Sequence, residues 1–385
     1  MRVMERSALF LAMVFALIGV GCAQDAQPTN GALSAVEAMS GDTTGYARAD
    51  HVRPFTFPED HGPHPGFQTE WWYWTGNLEA EDGRRFGFQL TIFRSAMTPD
   101  TTVDDRESDW GTNQLYMGHV GITDVAAGRH YAEERLRRGA VGLAGAQAEP
   151  FRTWLDDWSA ELMPDVDASG FGMLPVRLRA SAQGAALDLR LIPQKSAVLQ
   201  GDRGLSQKGP EPGNASYYFS LTRISAEGTI MINGDAIRVR GLAWMDREWS
   251  TSALGAGQVG WDWFSLQLSD GRDLMVYQLR RTDGSIDPIS KGSLVEADGS
   301  YRRIDSTEFT LTPLGHWTSP LGARYTVQWQ VEIPGEGIAL RVAAPVREQE
   351  MALSVRYWEG TVDIEGTSLG RPVTGSGYLE MTGYE

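Results

Sequence analysis

The 385-residue sequence predicts an antiparallel all-β protein of two similar domains, with strands closed into barrels or stacked as sandwiches. Strict alternation of apolar and polar residues recurs along the chain, Asp-Gly and Asn-Gly pairs separate the alternating runs, and one hairpin pattern occurs twice. The many glycines (44) and tryptophans (13) fit turn-rich β structure. No long segment shows a helical period of 3.6.

The first element is not a strand. Met1-Arg2-Val3-Met4-Glu5-Arg6 is followed by an apolar run from Ala8 to Val20 and then Gly21-Cys22. A charged start, a short apolar stretch and a small residue before the cut describe a signal peptide over residues 1–21. The run is too short for a comfortable membrane span. Cys22 is the single cysteine, which excludes an internal disulfide framework and a cysteine metal cluster. Its place after Gly21 resembles a lipobox, although Gly19 stands where Leu or Val is usual. The expectation is an exported cell-envelope lipoprotein, acylated at Cys22 and facing the periplasm from a membrane surface. Residues 22–50, rich in Ala, Gly, Thr, Gln and Asp, read as a flexible tether.

Strands follow. Phe86, Phe88, Leu90 and Ile92 alternate with Gly87, Gln89 and Thr91; Leu187, Leu189 and Leu191 alternate with Asp188 and Arg190; Phe264, Leu266 and Leu268 alternate with Ser265 and Gln267. Each pattern puts one apolar face on a sheet. Turns are expected at Asp82-Gly83, Asn233-Gly234, Asp270-Gly271, Asp283-Gly284 and Asp298-Gly299.

The repeat divides the chain. Trp72-Tyr73-Trp74, Asp82-Gly83 and Phe88-Gln89-Leu90 recur as Trp261-Asp262-Trp263, Asp270-Gly271 and Tyr277-Gln278-Leu279. Trp74 precedes Gln89, and Trp263 precedes Gln278, by the same 15 positions. Duplication gives one barrel over 51–225 and a second over 226–385. About eight strands per half matches a lipocalin-like barrel.

Candidate chemistry concentrates around aromatics. Glu70 shares a strand face with Trp72, either facing a cavity at a barrel entrance or beside an aromatic plug of the barrel floor, where backbone amides or an Arg satisfy it. In Gly241–Ser250, Trp244, Asp246 and Glu248 share one face. Two carboxylates two residues apart repel, which raises one pKa and makes a proton donor near neutrality. Asp262, between Trp261 and Trp263, is expected to join them, with Tyr277 and Gln278 on the neighbouring strand. The catalytic candidates are therefore Asp246, Glu248, Glu70 and Asp262. The ligand-contact candidates are Trp72, Trp74, Trp244, Trp261, Trp263, Tyr277 and Gln278. Gly201–Gly213 reads as a long loop near the junction of the halves.

Other classes are disfavoured. Lys and Arg number 34 against 50 Asp and Glu, a net charge of −16, which argues against a nucleic-acid partner. A nucleophile elbow, a P-loop and a dinucleotide fingerprint are all missing, so no cofactor is expected. His61 and His64 flank a Gly-Pro loop, and no metal is expected there.

FPEDHGPHPGFQTEWWYWTGNL, RRFGFQLTIFR, LSQKGPEPGNASYYFSLTR, GLAWMDREWSTSALG and VGWDWFSLQL resemble the AttH/CrtC-like family of exported lipocalin-like proteins, whose members are labelled predicted secreted hydrolases or carotenoid 1,2-hydratase-like proteins. The resemblance covers nearly all of Val52 to Tyr384. It implies two tandem lipocalin-like barrels binding a hydrophobic small molecule, isoprenoid or lipid-like, and a link to ABC-type transporter components. The enzymatic branch hydrates an isoprenoid C=C bond by acid initiation. Asp246 falls on the acidic residue of that branch, whereas Trp244, Arg247 and Glu248 replace its Tyr, His and Asn. The expectation is a hydrophobic-ligand binder, with an acid-catalysed hydratase or isomerase using Asp246 as the alternative. The label of hydrolase finds no nucleophile constellation in these residues.

Overall fold

The computed structural model describes residues 33–34, 42–99, 108–166, 175–251 and 254–384. The signal-peptide segment, Cys22 and most of the tether lie outside the described residues. Among the described residues, strands dominate and the helical turns are short 3-10 turns at Glu59–His61 and Pro334–Glu336.

The alternating runs form strands of two sheets. The first contains β1 (Thr69–Ala80), β2 (Arg85–Ala96), β3 (Gln114–Asp124), β4 (Arg129–Arg138), β5 (Ala144–Gln147), β6 (Arg152–Leu155), β7 (Trp158–Leu162), β8 (Val176–Ala182), β9 (Ala185–Pro193), β10 (Ala215–Ile232) and β11 (Asp235–Ser250). Their order is β4-β3-β2-β1-β11-β10-β9-β8-β7-β6-β5. The second contains β12 (Gln258–Leu268), β13 (Asp273–Arg281), β14 (Lys291–Val295), β15 (Tyr301–Asp305), β16 (Thr310–Thr318), β17 (Arg324–Ile333), β18 (Ile338–Ala343), β19 (Val355–Ser368) and β20 (Arg371–Met381). Their order is β15-β14-β13-β12-β20-β19-β18-β17-β16. Short strands add to β10 and β19.

Both sheets follow one connectivity. The first strand pairs with the last, and the path breaks between the fourth and fifth. Each sheet is thus an up-and-down barrel left open at one seam, and duplication accounts for the shared order. The expected boundary near residue 225 needs correcting as a change of sheet: residue 225 lies inside β10, and the sheets change between Ser250 and Gln258. The reason is the Asn233-Gly234 turn. Both residues have positive φ, 51° and 95°, and Ile232 pairs with Asp235 around them. This tight hairpin returns the chain into the first sheet, so β11 closes the first barrel against β1.

Each barrel has its own apolar core. Trp72, Trp74, Phe88, Leu90, Phe219 and Trp249 belong to the first; Phe264, Leu266, Trp329, Leu340, Trp358 and Leu379 belong to the second. A third cluster, with Tyr73, Tyr218, Trp244, Trp263, Tyr277 and Tyr378, draws from both sheets and sits where they pack together.

Polar contacts fix this packing. Asn77 donates to the Gly377 carbonyl at 3.0 Å, and Arg85 pairs with Asp363 at 2.6 Å. The fully buried Asp273 is held by Lys195 and Arg223 of the first half, at 2.8 and 2.7 Å. Gly87 lets β2 approach β19: a Cβ there would lie 2.7 Å from the Thr361 Cβ. Gly87→Ala is expected to lower the unfolding free energy by about 1–3 kcal/mol through overpacking. Urea denaturation measures it, and an unchanged midpoint would show that the barrels can separate freely at this contact.

Candidate active site between the two barrels

The pleat of β11 separates two chemistries. Met245 and Trp249 enter the first core, and Arg247 between them lies over the Trp72 ring at 4.0 Å. Trp244, Asp246 and Glu248 take the opposite face, toward the second barrel. On β1, paired to β11 with Trp72 opposite Arg247 and Tyr73 opposite Asp246, the same division holds. Trp72 and Trp74 point into the barrel, while Trp71 and Tyr73 point out. On β12, Phe264 and Leu266 fill the second core, and Trp261 and Trp263 face the first barrel.

The outward faces enclose a cavity of about 1240 Å³ of non-atom space, its mouth included. Trp71, Phe93, Met117, Trp261, Trp263 and Leu279 form apolar walls, and Tyr73, Tyr218, Tyr277 and Tyr357 add phenols. Carboxyl groups enter from both sides: Asp246 and Glu248 from the first barrel, Glu359 and Glu380 from the second.

Asp246 is 4% exposed. It accepts hydrogen bonds from the Tyr218 hydroxyl at 2.5 Å, the Ser220 hydroxyl at 2.5 Å and the Trp244 indole at 2.8 Å. Burial pushes its pKa up to about 7 despite these three donors, and Glu248 adds to the rise. Trp263 donates to the Tyr218 hydroxyl at 3.3 Å, so the second barrel orients the group that orients Asp246.

Glu248 is compensated. Lys208 pairs with it at 3.0 Å, and Ser216 donates to it. Burial disfavours the Lys208 charge, but Glu248, Tyr277 and Asp246 together outweigh it and raise the pKa. Lys208 also lies 4.8 Å from the centre of the Tyr277 ring. Burial would raise the Tyr277 phenol, yet Lys208 and Lys291 bring it down overall.

Glu359 and Glu380 are direct cross-strand partners on β19 and β20. Burial, then their mutual repulsion, lifts Glu359 well above the usual carboxylate range; the hydroxyls of Tyr73 and Tyr357 oppose this only in part. Burial likewise lifts Glu380, against the Trp261 indole, which holds it down.

Glu70 reaches the edge of the cavity but is not an acid there. It is fully buried between Arg94 and Arg247 and accepts the His64 amide at 3.0 Å. Burial alone would raise its pKa, but the two guanidiniums hold it far below the ordinary range. His64 stacks on Trp249 at 3.8 Å, so this loop serves the barrel floor.

The structure thus brings Asp246, Glu248, Trp261, Trp263 and Tyr277 to one cavity, with Glu70 as its ionic edge and Trp244 one layer behind. It places four candidates elsewhere. Trp72 and Trp74 are in the first core. Asp262 faces the second barrel, bonded to Gln278 at 2.7 Å and to Tyr384 at 2.7 Å. The cause is register: Trp74 pairs with Leu90, whereas Trp263 pairs with Tyr277. Asp82 follows Trp74 by eight positions but Asp270 follows Trp263 by seven; this one-residue slide of the turn shifts the hairpins, and the two Trp-x-Trp motifs present opposite faces.

The sequence reading missed Tyr73, Lys208, Tyr218, Glu359 and Glu380. Glu359 in Tyr357-Trp358-Glu359 and Glu380 in Tyr378-Leu379-Glu380 carry the signal that marked Asp246, an acidic residue two positions from an aromatic. That they meet depends on the pairing of two strands and leaves no local trace.

Residues 48–384 match the model of a family described as AttH-like. A solved AttH structure from Nitrosomonas europaea is 33% identical, with a TM-score of 0.75 over 88% of this chain and 100% of that one. Kievitone hydratase of Fusarium solani subsp. phaseoli is 23% identical over 223 residues, 53% of this chain; the match spans 59% of that relative's length. The structure of kievitone hydratase from Nectria haematococca shares the fold, with a TM-score of 0.65 at 13% identity over 88% of this chain and 95% of that one.

Glu70→Gln leaves Arg94 and Arg247 buried without their counter-charge. The expected loss is about 3–5 kcal/mol of unfolding free energy, read from denaturant titration. A loss no larger than that of an exposed substitution would contradict the structural assignment of Glu70.

Proposed function

Because the chain belongs to the AttH-like family, we propose that it binds a hydrophobic, isoprenoid- or lipid-like molecule between its barrels and adds water across a C=C bond there. The observation that carries this reading is Asp246: a buried carboxyl facing aromatic walls, whose pKa burial pushes up to about 7. A relative named as a hydratase supports the reaction class.

The chemistry follows from the geometry. Tyr218, Ser220 and Trp244 fix the Asp246 carboxyl. Its proton passes to one alkene carbon, using the π pair and leaving a positive neighbouring carbon and an Asp246 carboxylate. Aromatic faces attract that charge. Water then gives an oxygen lone pair to the cation, and its released proton restores Asp246. The net change is one water added, with no other reactant consumed.

Asp246→Asn keeps the shape and removes the proton. Turnover should fall by about 10²–10⁴-fold, the usual worth of a positioned acid, while ligand affinity stays within about tenfold. Isoprenoid alkenes incubated in ¹⁸O-water, with product mass as readout, measure this. In the wild-type chain kcat/KM should drop as pH rises through about 7, where Asp246 loses its proton. A rate indifferent to Asp246→Asn would sink the assignment.

We also read the chain as exported and anchored through Cys22, which would hold the cavity at a membrane surface beside ABC-type transporter components. Cys22→Ser should shift the protein from the membrane to the soluble envelope fraction. A membrane share unchanged by this substitution would refute the anchor.

A further inference from the structure

Elsewhere the fold gives four buried carboxylates a cation, while Asp246 is held by neutral donors. Glu70 has Arg94 and Arg247, Glu248 has Lys208, Asp273 has Lys195 and Arg223, and Asp262 has Arg280 at 3.4 Å. Glu359 and Glu380 are side by side across β19 and β20, and among the described residues neither has an ion-pair partner. Glu359 is 1% exposed. One of its oxygens lacks a hydrogen-bond partner within the protein, as does the hydroxyl of Tyr378, which is 1% exposed. Buried polar atoms without a protein partner cost free energy, so this corner suits a partner that is not protein.

The surroundings choose the partner's charge. A pair of carboxyls repels an anion and gains from a cation in a low-dielectric site. The flanking walls are π faces: Trp71, Trp261, Trp263, Tyr73 and Tyr357 line the same cavity, and Tyr73 stands edge-on to Trp263 at 5.4 Å. Acidic groups among aromatic faces recognise alkylated cations, which need no hydrogen-bond acceptors.

We propose that the Glu359–Glu380 corner is a subsite for a singly positive, alkyl-substituted centre: an aliphatic ammonium, or the carbocation formed in the hydration reading above. The carbocation arm rests on that reading, and the ammonium arm does not. An ammonium entering the corner displaces a proton held between the two carboxyls, so binding strengthens as pH rises. The groups facing the pair are Tyr357 on β19, Tyr378 on β20, Tyr73 on β1, Asp246 and Glu248 on β11, Tyr218 on β10, Tyr277 on β13 and His119 on β3, with Lys208 from the preceding loop. Lys208 is paired with Glu248, and Asp246 is a further group whose pKa burial raises, to about 7.

The test is calorimetric titration of the purified chain with hexyltrimethylammonium, hexan-1-ol and hexanesulfonate. The ammonium should bind about tenfold tighter than the alcohol, in line with a desolvated cation–π site, and the sulfonate weakest. Binding should release a proton, seen as a heat that depends on the buffer's ionisation enthalpy. Glu359→Gln and Glu380→Gln, close in shape to the protonated carboxyls, should erase both the preference and the proton release while circular dichroism stays unchanged. Asp246→Asn should keep both. Equal affinity for ammonium and alcohol, or a preference that survives in the double Gln variant, overturns the proposal. If that happens while ¹⁸O-water is still incorporated through Asp246, the corner falls and the acid reading stands. The converse pattern removes the acid reading alone.

Discussion

The ion cluster of Glu70 with Arg94 and Arg247 sets the frame for everything around it. It joins β1, β2 and β11, the strands at which the first barrel closes. Its carboxylate and guanidiniums are withdrawn from water, so each is stable only while the others are in place. A one-residue slip of β11 would turn Arg247 outward and Asp246 into an apolar core, exchanging a compensated charge for an uncompensated one. The cluster thereby specifies the face on which Asp246 appears.

From that register the cavity follows. Neither barrel encloses it alone. The first contributes Tyr73, Tyr218, Asp246 and Glu248, and the second contributes Trp261, Trp263, Tyr277, Glu359 and Glu380. Tight contacts such as Gly87 against Thr361, with the Asp273 ion cluster, hold the walls at fixed separation. The result is a division of electrostatic labour. Glu70 is matched by two guanidiniums and Glu248 by Lys208. Asp246, Glu359 and Glu380 lack an ion-pair partner among the described residues, and burial raises their pKa values. Stability is given up at the second kind of site, a frequent signature of groups poised for acid–base work or ligand contact.

Much of this was legible along the chain. The period-2 runs became strands, Asn233-Gly234 became a tight hairpin, and the common face of Trp244, Asp246 and Glu248 survived folding because a pleat is local. The pKa of one carboxyl of that pair was expected to rise, and that of Asp246 does, but burial by packing is the main cause and the local Glu248 the lesser one. The repeat conveyed one connectivity used twice. It failed for Trp72, Trp74, Asp262 and Gln278, because aligned motifs do not share a register, and register decides which face is inside. Residue 225 looked like a boundary for a similar reason: chain midpoint and sheet boundary differ when the last strand of the first barrel comes late.

The sequence by itself determined the all-β class, the strand pattern, the paired architecture and the side of β11 that carries the acid. Those properties depend on neighbours a few residues apart. Tertiary structure alone decided that Lys208 neutralises Glu248 and spares Asp246, that Glu70 is a structural ion, and that Glu359 meets Glu380. A carboxyl's role depends on which charges and how much water surround it, and here those surroundings are assembled from strands of both barrels, from Glu70 to Glu380.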